Sequence, residues 1–332
     1  MARTVLFHEL GGPEVMRLED VEVGAPGRGE VRMRVDAIGL NRAEALFRSG
    51  QYIEPVKRFP AKLGYEAAGV VEAVGDGVDG IRVGDLVSTM PSFSPNDYGV
   101  YGEHAIVPAH AVLARPDSVS AVDGAAVWMP YVTAYGGLVE VGGMRPGDTV
   151  VLNAASSGVA LAALQVAKRT GATAIALTRG EGKKEALLKL GAEHVIVTDT
   201  EDMVERVREL TGGRGAEYVF DAVAGPGVLD LMKIVAPDGM MLEYGMLSGE
   251  PTPYPAFDLG MPPVNMRSYT MRETTYDPER MRRAVAYVNS GLRSGAFRPV
   301  VDRTFELGDI VEAHRHMASN KQIGKIVVTV DH

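Results

Sequence analysis

The sequence contains no cysteine. That excludes a disulfide framework and thiolate ligands for zinc. Aromatic residues are sparse at 6%, with one tryptophan, so aliphatic side chains must supply most of the core. No long uninterrupted apolar run is present. The most apolar stretch, 150–167, is broken by Asn153, Ser156, Ser157 and Gln165, which is unlike a membrane span. The opening "MARTVLFHELGG" lacks the apolar centre of a signal peptide. Positive charge is also in deficit: 34 Lys and Arg stand against 43 Asp and Glu, net −9, with no basic block for a nucleic acid. The expectation is a soluble cytoplasmic protein without nucleic-acid or membrane partners.

What is present fits a globular chain. There are 332 residues, 46% hydrophobic and 23% charged, enough for two domains. The 39 glycines announce many tight turns. In "VRMRVDAIG", Val31, Met33, Val35 and Ala37 alternate with Arg32, Arg34 and Asp36, the period of a half-buried strand. "GVVEAVGDGV" and "IRVGDLVS" continue the pattern of short strands with Gly turns, which suggests a barrel or folded sheet.

From Asp148 the rhythm changes. "DTVVLNAA" reads as a buried strand, "GVALAALQVAKRTG" as a helix closed by Gly171, "TAIALTR" as a strand and "KKEALLKLG" as a helix. The alternation runs on to "GMMLEYG" and implies right-handed crossovers and a doubly wound parallel sheet. The fold class is α/β. We expect a dinucleotide-binding domain over 125–263 and a β-rich domain assembled from 1–124 and 264–332. In the tail, Met281, Val285, Val288 and Leu292 share a helical face. Asp309 and Glu312 have capping-box spacing, and "GKIVVTV" closes as a strand.

The loop "NAASSGVALAALQVAK" follows the first strand of the wound domain. Pyrophosphate on backbone N–H groups at a helix start needs small neighbours, and Ala154, Ala155, Ser156, Ser157, Gly158 and Ala160 qualify, with Val159 also expected at the cofactor. Strict GxGxxG is absent, with Ala160 where a third Gly would stand. The second strand ends "ALTRGEGKK". It lacks the carboxylate at Thr178 or Arg179 that would hold a ribose 2′-hydroxyl. Arg179 and Lys183 can pair instead with a 2′-phosphate, so NADPH is expected over NADH. Tyr244, Gly245 and Met246 follow the last wound strand, where nicotinamide would lie.

Several segments in order carry a family likeness: "FHELGGPEVMRLEDV", "IGLNRAEALFRSGQY", "LGYEAAGVVEAVGDGV", "YVTAYGGL", "AASSGVA", "LLKLGAEHVI", "VFDAVAG" and "QIGKIVVTV". Over nearly its whole length the chain resembles the zinc-independent quinone oxidoreductase branch of the medium-chain dehydrogenase/reductases, the superfamily of the zinc-containing alcohol dehydrogenases. The resemblance implies a Rossmann domain inserted in a GroES-like catalytic domain, an active site in the cleft, a homodimer, and NADPH-dependent hydride transfer to quinones or related α,β-unsaturated carbonyls. It also implies cofactor contacts at Val223, and at Asn320 and Lys325 near the tail. Glu44 departs from the Asp common at its position.

The zinc signature of that superfamily has His between the Gly and the Glu; here it is Tyr65. His104 and His110, or His314 and His316, do not make a convincing replacement, and His314 reads as packed against Ile310 and Met317. We therefore expect no metal. A plain alcohol is then poorly activated, whereas a quinone or enone takes hydride at carbon and needs only hydrogen-bond donors at its oxygen. By the resemblance Asn41 positions substrate or nicotinamide, Tyr52 donates to the acceptor oxygen, and Thr133 contacts nicotinamide. Asn41 also suits a helix N-cap. Tyr65 is either a further donor or a filler of the lost metal site. Phe93, Tyr98, Tyr131 and Trp128 suggest an aromatic or apolar substrate. Two alternatives stay open: an enoyl-thioester or alkenal double-bond reductase, and a non-catalytic NADPH-binding sensor or structural protein.

Overall fold

A computed structural model describes residues 1–254, 257 and 259–332. In chain order the strands are β1 (Ala2–Phe7), β2 (Met16–Val21), β3 (Glu30–Gly39), β4 (Ala61–Lys62), β5 (Glu66–Val74), β6 (Leu86–Thr89), β7 (His104–Pro108), β8 (Val112–Ala114), β9 (Thr149–Leu152), β10 (Thr173–Thr178), β11 (His194–Val197), β12 (Ala216–Asp221), β13 (Val235–Glu243), β14 (Asn265–Ser268), β15 (Val301–Glu306) and β16 (Lys325–Thr329). They divide between two compact units. One is Met1–Met129 with Pro299–His332, the other Pro130–Arg298.

The first unit is the β-rich one. β2, β1 and β4 form a small sheet, and β15-β16-β3-β5-β6-β8 form a larger one to which β7 adds through β3. The period-two reading of β3 holds: Val31, Met33, Val35 and Ala37 are fully buried, while Arg32, Arg34 and Asp36 are partly exposed. Phe7, Ile38, Phe47, Leu63 and Val107 join the same core. Burying a side chain of this size contributes about 1.5–3 kcal/mol. Gly64 is forced by two constraints. Its φ is +101°, and a Cβ there would lie 2.3 Å from the Tyr101 ring.

The second unit is doubly wound. Its sheet runs β11-β10-β9-β12-β13-β14 with every pairing parallel. The order turns back on itself between β9 and β12, and that switch point is where such sheets bind ligands. The helix Gly158–Thr170 starts on Ser157, whose hydroxyl accepts from the Ala160 N–H, and ends on Gly171 at φ 86°. Both boundaries were legible from residue type.

Two expectations are corrected. Residues 264–298 belong to the second unit rather than to the terminal part of the first. β14 pairs with β13, and Val264 and Met266 pack on the core formed by Val151, Ile175 and Val219. The helix Pro278–Arg293 is amphipathic as read, but its Tyr287 lies under the Arg169 guanidinium, 5.0 Å away, from the helix Gly158–Thr170. Periodicity reveals a buried face and not which core receives it. The capping box at Asp309 also does not form. The Asp309 side chain caps nothing, and Glu312 pairs with Arg315.

Candidate functional site

In the first unit the helix Arg42–Arg48 follows β3 and places Asn41 at its N-cap. Asn41 is 8% exposed and its polar atoms are occupied. Its Nδ2 donates to the Gly39 carbonyl at 3.1 Å and to Glu44 Oε1 at 3.2 Å, and its backbone N–H donates to Glu44 Oε2 at 2.6 Å. Its Oδ1 accepts from Lys325 Nζ, which also donates to Glu66 Oε2 at 2.6 Å. Glu66 takes a further bond from the Met129 N–H, and Glu44 from the Tyr65 N–H. Lys325, Glu44 and Glu66 are all 5% exposed or less. Burial pushes the Glu44 carboxyl up to about 7, against the opposing pull of the Lys325 charge and the Asn41 donors.

This network refines two expectations. Both N–H bonds of the Asn41 amide are spent within the protein, on Gly39 and Glu44, in keeping with the helix-cap reading. Lys325, expected at the cofactor, is turned into the interior. Asn320, at φ 56° after the helix Ile310–Ala318, accepts from Arg42 Nη2 at 2.6 Å.

Tyr52 and Tyr65 do come together. The Tyr65 hydroxyl donates to the Tyr52 hydroxyl at 3.3 Å. Tyr65 is 3% exposed and Tyr52 partly exposed, so the open member of the pair is Tyr52. Their rings continue a run of aromatic contacts from Phe47 through Tyr52 and Tyr65 to Phe93 and Tyr98. Tyr65 is thus a buried member of this run whose hydroxyl reaches Tyr52. His314 is a packed interior residue. Its Nδ1 faces Arg48 Nη1 at 2.8 Å and its Nε2 faces the Tyr101 hydroxyl at 3.2 Å, and burial lowers its pKa to about 3.

In the second unit the phosphate-loop candidates lie between β9 and the helix Gly158–Thr170. The first N–H groups of a helix, here Gly158 and Val159, have no intrahelical acceptor. Lys183 Nζ reaches the Ser156 hydroxyl at 2.8 Å, which sets an ammonium beside the loop. Thr178 ends β10, and Arg179 follows it, exposed. The arrangement fits a phosphorylated dinucleotide: small side chains at a helix start, a cation beside them, and no acid at the strand end.

Tyr244 stacks on Phe220 with ring centroids 4.1 Å apart. Its hydroxyl is buried beside Ser157 without meeting hydrogen-bond geometry, and burial raises its pKa. Gly245 is required: a Cβ would sit 2.5 Å from the Ala222 carbonyl oxygen. Met246 is exposed, and Val223 donates its N–H to Asp221. Thr133 is buried in the helix Trp128–Ala134. Of the aromatic pocket candidates, Tyr131 is a core residue whose hydroxyl bonds Gln165, and Trp128 is 3% exposed. The sequence reading assigned no role to Glu66 or Asp221, both wholly buried; a polar residue inside an apolar run was the available signal for Asp221.

The profile of the family described as zinc-binding dehydrogenase matches residues 158–290, and that of the alcohol dehydrogenase GroES-like domain matches 27–117. These matches, with the two units just described, define a dehydrogenase-type chain with a GroES-like domain and a Rossmann-like domain. Similar proteins include a 2-haloacrylate reductase of a Burkholderia species, 32% identical over 99% of both chains. A quinone oxidoreductase of Pseudomonas aeruginosa is 31% identical, again over 99% of both. The crystal structure of Escherichia coli quinone oxidoreductase complexed with NADPH superimposes with a TM-score of 0.91 at 29% identity, covering 99% of this chain and 100% of that one. The chain belongs to the medium-chain dehydrogenase/reductase superfamily, in its quinone oxidoreductase branch.

Proposed function

We propose that the protein is an NADPH-dependent reductase that delivers hydride, without a metal ion, to quinones or related α,β-unsaturated carbonyl compounds. The observation that carries this reading is the Lys183 ammonium on Ser156 beside a strand end without a carboxylate, in a chain whose similar structures include one complexed with NADPH. Bound NADPH supplies a hydride. Ser156, Ser157, Gly158 and Val159 receive the pyrophosphate, and Arg179 and Lys183 hold the 2′-phosphate. Val223, Tyr244, Gly245 and Met246 bound the nicotinamide end, with Thr133.

Tyr52 donates to the acceptor oxygen as negative charge develops there. Its own oxygen accepts from Tyr65, which polarises its O–H toward donation. The proton that completes the reduction would come from the Tyr52 hydroxyl, which solvent would replenish. The net change is two electrons and two protons added to a quinone, or across one conjugated double bond. The haloacrylate reductase relative favours the double bond as a second reading. Single turnovers with a benzoquinone and an enoyl thioester separate the two.

Arg179→Asp tests the cofactor assignment. Removing a charge-assisted bond and adding repulsion is expected to weaken NADPH binding by about 2–3 kcal/mol, some 30- to 150-fold, with NADH little affected. An unchanged NADPH affinity would remove Arg179 from the site. We also propose a homodimer. β14 is the outer strand of its sheet and mostly exposed, so it offers unpaired backbone groups to a second copy. The segment 258–271, "DLGMPPVNMRSYTM", lies where the resemblance implies sheet pairing across a dimer, and its first residue, Asp258, lies outside the described residues. Sedimentation showing a monomer at micromolar concentration would exclude this assembly.

A further inference from the structure

Asp221 ends β12 and is wholly buried, yet none of the roles above uses it. It stands across the switch point from Asn153, the residue after β9. Asn153 Nδ2 donates to Asp221 Oδ1 at 2.8 Å, and the Asn153 N–H donates to the Phe220 carbonyl at 3.1 Å. The Asn153 Oδ1 in turn accepts from the Ala154 N–H at 2.9 Å. On its other side Asp221 accepts from the Val223 N–H at 2.9 Å and the Ala224 N–H at 2.7 Å. One carboxylate therefore ties two loops together above the ends of adjacent strands.

Both loops are strained where it holds them. Ala154 has φ 51°. Ala224 has φ 57° and ψ −158°, a region almost reserved for glycine. Such a conformation costs about 1–3 kcal/mol and persists only when its surroundings over-determine it. The turn also carries the next loop: Leu247 N–H bonds the Ala222 carbonyl at 3.1 Å and Ser248 N–H the Val223 carbonyl at 2.9 Å. The tie thus reaches from the phosphate loop at 154–159 to the segment Tyr244–Met246.

We infer that Asp221 is a positioning residue for the dinucleotide, holding the phosphate loop through Asn153 and the nicotinamide-side loop through Val223 and Ala224 in one prearranged geometry. The inference rests on the cofactor reading above. Prearrangement means that the strain is met on folding and not on binding, so breaking the tie transfers that cost to the cofactor.

The test measures NADPH and 2′-AMP affinities by calorimetry, with thermal melting, for the wild type, Asn153→Ala, Asp221→Asn and the double variant. 2′-AMP reaches the Thr178–Lys183 end and meets the tied loops only through the Lys183–Ser156 bond. The expected result is NADPH affinity about tenfold weaker in each single variant, with 2′-AMP affinity unchanged within about twofold. The double variant should be no weaker than the worse single, because both act through one tie. Unchanged NADPH affinity, or equal losses for both ligands, would overturn the inference. If Asp221→Asn does not fold, Asn153→Ala alone decides it, since it leaves the other two bonds to Asp221 in place. A wild type that binds neither ligand would instead overturn the cofactor assignment, and the inference with it.

Discussion

Lys325→Met is expected to destabilise the protein by about 3–5 kcal/mol, a loss of about four to seven degrees in Tm. The ammonium is the positive partner of Glu66 at 2.6 Å and lowers the cost of ionising Glu44. Removing it leaves two carboxylates in a nearly dry interior. The loss should depend on pH. Glu44 is raised from 4.5 to about 7 in the fold, so its contribution to stability is complete below 4.5 and falls away as the pH rises through 7. Over that window the change is about 3 kcal/mol. Without Lys325 the Glu44 carboxyl is harder still to ionise, so the deficit of the variant should be larger at pH 8 than at pH 5. Adding Glu66→Gln should recover a large part of the loss, because one uncompensated charge disappears. Urea melts at the two pH values measure all of this. A single-variant loss below about 1 kcal/mol would contradict the network.

Tyr52→Phe is expected to lower kcat about a hundredfold with a small change in KM. Loss of one donor aimed at a developing oxyanion is worth about 2.7–4 kcal/mol in comparable sites. Phenylalanine keeps the ring that packs at 6.3 Å from Phe47, so packing and stability should change little. Tyr65→Phe should cost less, about tenfold, because Tyr65 acts through Tyr52. Steady-state kinetics with a benzoquinone distinguish this from a rim aromatic, whose loss would raise KM and leave kcat alone.

The second unit was the more legible part of the chain. Ser157, Gly171 and the alternation of strand and helix are local signals, and local physics decides them. The Arg179 and Lys183 reading was equally local: a missing acid and a nearby base at one strand end. The buried network was not legible. Lys325 lies 259 residues from Glu66 and 284 from Asn41, and no spacing rule joins them. Lys325 opens β16, and the resemblance implied a cofactor contact there; its turn into the interior shows only once the sheet is closed. Asn41 showed the opposite problem. Residue type suggested a cap and the resemblance a residue that positions substrate or nicotinamide, and its hydrogen bonds display the first. The boundary at 264 failed because an amphipathic helix carries no label for the core that buries it.

The central claim is that neutral hydroxyl donors, and not a metal ion, assist hydride transfer from NADPH to an already electron-poor acceptor. Stopped-flow oxidation of protein-bound NADPH by a benzoquinone, before and after exhaustive treatment with a chelator, tests it most directly. The account predicts a rapid single turnover whose rate chelation does not change. Loss of turnover on chelation, restored by adding back a divalent cation, would contradict it.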